Sequence, residues 1–152
     1  MPILLGILLT LGVCAVAYGA GQLSDSVKTA LETHKLVSIA TQRANGEWGR
    51  AAPVWFMYDS EAVYFITAPD SYKARRIRRG SPAQVWLSDA TGPAFVGAAH
   101  VVTDVSTLER INAAYKRRYW LAWLTYWAVP LAGRVEAGKI VAVKVVLQSD
   151  GR

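Results

Sequence analysis

Cysteine is almost missing from this chain. Among 152 residues there is one, Cys14, so no disulfide framework within the chain is available and the fold must rest on packing and hydrogen bonds. Histidine is nearly as scarce, with His34 and His100 alone. Neither is spaced with cysteine or carboxylate as a metal-ligand set, which removes the usual zinc architectures. No Ser/His/Asp motif emerges, since Ser88-Asp89 reads as the end of a strand. The run Gly133 to Lys139, G-R-V-E-A-G-K, has the spacing of a phosphate-binding loop. Ile140 stands where Ser or Thr should hold magnesium, however, and a strand follows instead of a helix. Internal repeats and low-complexity linkers are absent as well.

Charge is missing from the amino-terminal stretch, where Met1 to Ser24 carries no charged side chain. Within it Ile3 to Ala20 is nearly continuous apolar sequence, and a helix of that length spans about 27 Å, close to the hydrocarbon thickness of a bilayer. Residues 1–22 are therefore expected to form a transmembrane anchor, with residues 23–152 as one domain. A cleaved signal peptide is the alternative, because Tyr18-Gly19-Ala20 resembles a cleavage site, although the positively charged start of such a signal is lacking. Lys28, Lys35 and Arg43 lie after the span and no Lys or Arg precedes it. That bias predicts a single-pass protein of the cell membrane with its domain in the cytoplasm.

What the chain does have is apolar content, 53% of residues, enough to build a core and to argue against disorder. Its formal net charge of +6 suits anionic lipid head groups, a phosphorylated small molecule or nucleic acid. Arg75, Arg76, Arg78 and Arg79 are the residues that would meet nucleic acid, but no recognisable nucleic-acid motif accompanies them, and that partner is set aside.

Periodicity orders the domain. Gln22 to His34 has helical spacing, and Leu36 to Thr41 reads as a strand. Asn45-Gly46 marks a hairpin turn, after which Trp48 to Tyr58 returns as one strand. Along it Val54, Phe56 and Tyr58 face one way, and Pro53, Trp55 and Met57 the other. Pro53 lacks a ladder donor and marks an edge, a bulge or backbone put to another use. Strands follow at Val63 to Thr67, Ala83 to Ser88, Ala94 to Thr103 and Lys139 to Gln148, with helices after Ser71 and from Ser106 to Trp120. Gly97-Ala98-Ala99 suits close packing or a bend. Six strands broken by two crossing helices predict a mainly β (α+β), antiparallel barrel, preceded by the amino-terminal hydrophobic helix.

The stretch Val63 to Gly80, V-Y-F-I-T-A-P-D-S-Y-K-A-R-R-I-R-R-G, carries the sharpest functional signal. A strand stops at Ala68-Pro69, and Asp70-Ser71 caps a helix. At about 100° per residue Ala74 and Ile77 share one side, and Arg75, Arg76 and Arg79 gather opposite. Lys73 sits in the first turn at the apolar edge. The free N–H groups of a helix start favour an anion, and Thr67, Ser71 and Lys73 add two hydroxyls and a cation beside it.

Taken together, V-S-I-A-T-x-x-x-N-G, A-P-V-W-F-M-Y-D, V-Y-F-I-T-x-x-x-S-Y-K-A-R-R-I-R-R-G-S-P, V-W-L-S-D and G-A-A-H-V resemble the pyridoxamine 5′-phosphate oxidase-like flavin-binding split barrels. The likeness runs from Leu36 to Arg118 and is nearest to the branch using FMN or the deazaflavin coenzyme (factor 420). It implies a homodimer with cofactor sites at the subunit interface. The cofactor phosphate would fall to Thr67, Ser71 and Lys73, the ring system would be bordered by Val54 and Trp55, and Trp86 would form a wall. Some related barrels handle haem, for which His100 would be the candidate ligand.

The resemblance implies an oxidoreductase that passes a hydride between the cofactor and a small organic substrate, with the cofactor performing the chemistry; the amino-terminal span, which is not typical of the family, would anchor it in the membrane. The rival is a non-catalytic, membrane-tethered subunit of a protein complex with an empty cofactor site. The aromatic run Tyr119 to Leu131 either rests at a membrane interface or covers the barrel or the dimer contact. Arg75, Arg76 and Arg79 are read as a solvated face within reach of lipid head groups or the tail of a longer anionic cofactor.

Overall fold

A strand closes a barrel when it pairs on both sides, and the stretch Ala52 to Tyr58 does so by changing partners in its middle. The computed structural model describes residues 23, 25–59, 61–87, 94–119 and 130–148. Its elements are α1 (Asp25–Thr33), β1 (Val37–Thr41), β2 (Ala52–Val54), β3 (Phe56–Tyr58), β4 (Ala62–Thr67), α2 (Tyr72–Arg78) and β5 (Ala83–Trp86). They continue with β6 (Ala94–Val102), α3 (Val105–Arg118), α4 (Leu131–Glu136) and β7 (Val141–Gln148).

The strands form one antiparallel sheet in the order β2-β1-β5-β6-β7-β4-β3. Its two ends, β2 and β3, are separated in sequence by Trp55 alone. β2 pairs with β1, setting Val54 opposite Val37, and β3 pairs with β4, setting Phe56 opposite Phe65. The sheet therefore curls into a nearly closed barrel of seven strands with Trp55 at the seam. Six strands were expected because the side-chain alternation runs through the seam unbroken. Val54, Phe56 and Tyr58 pack into the inner cluster, while Trp55 and Met57 belong to the outer one. The hydrogen-bond partners change at Trp55; the pattern that sequence reveals does not. Pro53 lies on edge strand β2, where its missing N–H costs little.

Inside the barrel, Val37, Ile39, Phe56, Val63, Phe65 and Val143 are fully buried, and Leu31 of α1 and Ile77 of α2 join the same cluster. At Gly97 the backbones of β6 and β7 approach so closely that a Cβ would lie 2.0 Å from the carbonyl oxygen of Val146. The hairpin turn at Gly46 has φ 85°, the left-handed conformation glycine takes without strain.

Outside the barrel, α3 lays Leu108, Ile111 and Tyr115 on Met57, Ala62 and Tyr64, with Leu131 of α4 beside them. Asp104 starts α3 by accepting the Thr107 N–H at 2.9 Å. At its other end Arg118 donates to the carbonyls of Leu31, Glu32 and His34, so the last arginine of the basic run caps the carboxyl end of α1. Helix α4 was not foreseen; the discarded phosphate-loop spacing falls in it and in the turn that ends it. Of the aromatic run, Tyr119 and Leu131 are buried against the barrel, and residues 120–129 lie outside those described.

The expected single-pass location in the cell membrane needs correction. No helix among the described residues is long and apolar enough to cross a bilayer. The first described helix, α1, has nine residues of mixed polarity, and the expected span Ile3 to Ala20 lies outside the described residues. The membrane location is withdrawn.

Candidate functional site

The corner between β4 and α2 is built by a turn. Ser71 N–H closes it on the carbonyl of Ala68 at 3.1 Å, with Pro69 supplying the fixed φ such a turn needs. Arg78 braces it by donating to the Pro69 carbonyl at 2.7 Å. Ser71 is the N-cap of α2, its Oγ accepting the Ala74 N–H at 3.1 Å and the Thr67 hydroxyl at 3.0 Å. A hydroxyl offers two lone pairs and one proton. With both lone pairs engaged, the Ser71 proton is left for a third partner.

Lys73 stands two residues on, half-buried, and no hydrogen bond or ion pair engages its ammonium among the described residues. Burial, and then the nearby Arg76 charge, push its pKa down. Both effects disfavour the cation, and an anion beside it reverses them. Helix α2 has seven residues, and its Ala74 and Arg75 N–H groups are taken by Ser71. The corner therefore offers side chains more than the open helix end that the sequence suggested.

A cavity of about 370 Å³ opens at the seam, lined by Leu36, Pro53, Val54, Trp55, Ile66 and Tyr115. Ile66 directly precedes Thr67 on β4, so cavity and corner lie at the same end of one strand, with these two side chains on its opposite faces. Trp55 lies flat against Tyr119, with centroids 4.8 Å apart and planes at 10°, and edge-on to Tyr115. The Tyr115 hydroxyl donates to the Trp55 carbonyl at 2.7 Å. The Tyr119 hydroxyl accepts the Phe56 N–H at 3.1 Å and shares its proton between the carbonyls of Lys35 at 2.8 Å and Phe56 at 3.0 Å. Burial raises the Tyr119 pKa, which keeps the phenol a neutral donor.

The structure thus joins Thr67 to Ser71, sets Lys73 at the same corner, and brings Val54 and Trp55 to an adjoining cavity. Trp86 does not join them. It sits opposite Ser38, which in turn faces Pro53, and two strand spacings, about 10 Å, separate it from β2. Leu36, Ile66 and Tyr115 line the cavity without having been singled out. Tyr115 lies in the helix expected from Ser106 to Trp120, but periodicity does not say which strand that helix meets. A larger space, about 750 Å³, runs along β6 past His100. Apart from His100, the candidate haem ligand, it contains none of the candidate residues; its walls are mostly the small residues of β6, and its Arg78 is already committed to Pro69.

Comparison with known proteins agrees with this fold. Residues 23–147 match the family model described as pyridoxamine 5′-phosphate oxidase. No curated protein matches the chain. Among solved structures, Rv2991 of Mycobacterium tuberculosis is similar at TM-score 0.63 and 20% identity, over 86% of this chain and 84% of that one. The haem storage protein HutZ of Vibrio cholerae is similar at 0.59 and 15%, over 85% and 92%. The FAD and haem binding protein of Mycobacterium smegmatis is similar at 0.59 and 17%, over 86% and 69%. These identities speak for the fold alone. The family match covers nearly the whole described barrel, including its seam and its strand-helix corner, and the chain belongs to the pyridoxamine 5′-phosphate oxidase family.

Proposed function

We propose that the cleft between Trp55 and the Thr67–Ser71–Lys73 corner holds FMN or a deazaflavin, and that the protein is an oxidoreductase passing a hydride between this cofactor and a small organic substrate. The observation that carries the reading is Lys73, a half-buried ammonium with no partner among the described residues, beside a serine whose proton is unspent. A cofactor phosphate answers both. Lys73 would neutralise it, Ser71 would donate to it, and Thr67 would hold Ser71 in register.

Val54, Trp55 and Ile66 give the adjoining cavity apolar walls suited to the edge of a ring system. Tyr115 and Tyr119 keep that wall fixed by bonding the Trp55–Phe56 peptide, one at its carbonyl and the other at its N–H. When bound, the cofactor supplies the hydride chemistry, and the chain binds, orients and shields it. A second copy of the chain covering the cleft is part of the proposal, because the cavity opens widely to solvent in one chain. The names of the mycobacterial FAD and haem binding protein and of HutZ support a cofactor-binding role for the fold.

Purified protein titrated with FMN, a deazaflavin and haem should show saturable visible absorbance with a flavin or deazaflavin. Lys73→Glu should abolish that uptake while the far-ultraviolet circular dichroism stays unchanged. A wild-type chain that takes up neither FMN nor deazaflavin at micromolar concentration would sink the enzyme reading and favour a non-catalytic barrel.

A further inference from the structure

The outer side of α2 is not a plain solvated face. Arg75 and Arg76 of the helix, Arg79 just beyond it and Arg43 from the hairpin after β1 line a cavity of about 320 Å³ together with Ala44 and Tyr72. A basic helix face would need residues of one helix alone. Here a second element supplies the opposing wall. No carboxylate lines the cavity, and the nearby acid, Glu47, pairs with Arg43 at 3.3 Å with both side chains exposed, an arrangement of little strength.

Two details show that the guanidinium groups are held in place. The Nη1 of Arg76 lies 3.4 Å from both the carbonyl oxygen and the hydroxyl oxygen of Thr41. A Cβ at Gly49 would fall 2.2 Å from that same nitrogen, so the missing side chain at Gly49 makes room for the charge. Tyr72, 69% exposed, carries Arg75 and Arg76 at 4.7 and 5.4 Å from its ring centroid. Cation–π contacts of this kind hold the two cations near the ring.

Arginine does not lose its proton in proteins, and its planar fork matches phosphate and carboxylate oxygens in pairs. Four such groups around one cavity, within about a Debye length of one another at physiological salt, repel each other until a multiply charged anion joins them. We propose that this cavity is a binding site for a small polyanion, one carrying two or more phosphate or carboxylate groups, and that it is separate from the Lys73 corner.

Calorimetric titration of the full chain with pyrophosphate, and with a tricarboxylate, tests this. Saturable binding that weakens as salt rises is expected. Arg75→Glu with Arg79→Glu should weaken it by roughly tenfold or more, and Lys73→Gln by less than about twofold. Should the double variant lose its circular dichroism, Arg43→Gln at the exposed hairpin replaces it, with a weakening of roughly threefold expected. FMN uptake, measured in parallel, should survive in the arginine variants. Absence of pyrophosphate binding at millimolar concentration overturns the proposal. So does binding lost in Lys73→Gln and kept in the arginine variants, or joint loss of pyrophosphate and FMN in those variants. An RNA oligomer that binds more tightly than pyrophosphate and is not displaced by it would make the cluster a nucleic-acid surface instead.

Discussion

Inside the barrel the core is hydrocarbon, made by Val37, Ile39, Val63, Phe65 and Val143, with the buried Thr41 at the end of β1. The layer between β4 and α3 is built around Tyr64, Tyr115 and Tyr119, each with its hydroxyl bonded: to Asp59 at 2.8 Å, to the Trp55 carbonyl, and to the backbone of Lys35 and Phe56. Both regions remove apolar area from water. They differ in what that area secures. Non-directional burial inside makes the barrel stable, and the hydroxyls of three tyrosines outside add directional bonds. Tyr115 and Tyr119 hold the Trp55–Phe56 peptide from its two ends, the same place where the cavity opens. The outer layer is therefore the part of the core that shapes the site.

The largest expected effect tests the inner side of this contrast. Phe65→Ala should cost about 3–5 kcal/mol by chemical denaturation, and at low temperature the remaining folded protein should still take up FMN. If its cost is smaller than that of a tyrosine hydroxyl in the outer layer, the division of labour is wrong. Next comes Tyr119→Phe, which strips the Phe56 N–H and the Lys35 carbonyl of their partner for about 1–3 kcal/mol. Here cofactor uptake should fall further than stability alone explains, because the seam loosens; uptake that tracks stability would break the comparison from the other side.

The smallest effect belongs to Lys73, at the rim of the inner core. Its folded pKa lies below its unfolded one, so the unfolded chain keeps this proton to higher pH. Stability should therefore rise as pH climbs from the depressed value to the ordinary lysine range. The ammonium is too exposed for the rise to be large. Urea unfolding at a series of pH values should show the rise in wild type and its loss in Lys73→Met. Tyr119, whose pKa burial raises, acts with the opposite sign as phenols ionise, and cancels in the difference between the two proteins. An identical pH profile for both would show that the fold does not penalise the Lys73 charge.

Much of this was legible in the sequence for identifiable reasons. The Asn45-Gly46 turn, the Ser71 cap and the burial of Ala74 and Ile77 follow from local chemistry and helical period. The two-sided alternation from Val54 to Tyr58 also survived intact. What stayed hidden depends on partners far along the chain. The change of pairing at Trp55 leaves no mark on alternation. The reach of Tyr119 to Phe56 joins residues 63 positions apart. Trp86 as a wall came from the family resemblance, and only the strand order shows that β1 separates it from β2. Arg118 finds its partners, the carbonyls at the end of α1, more than 80 positions back in the chain.

The seam has a further consequence, for register. In an ordinary sheet each edge strand can slide against its neighbour without disturbing the other edge. Here the two edges are one stretch of chain joined by Trp55, so a one-residue slip of β2 on β1 must be matched by a slip of β3 on β4. Either slip turns Val54 and Phe56 out of the interior. Each pairing therefore proofreads the other. The free edges that remain are three residues long apiece, which leaves little backbone for another chain to add a strand.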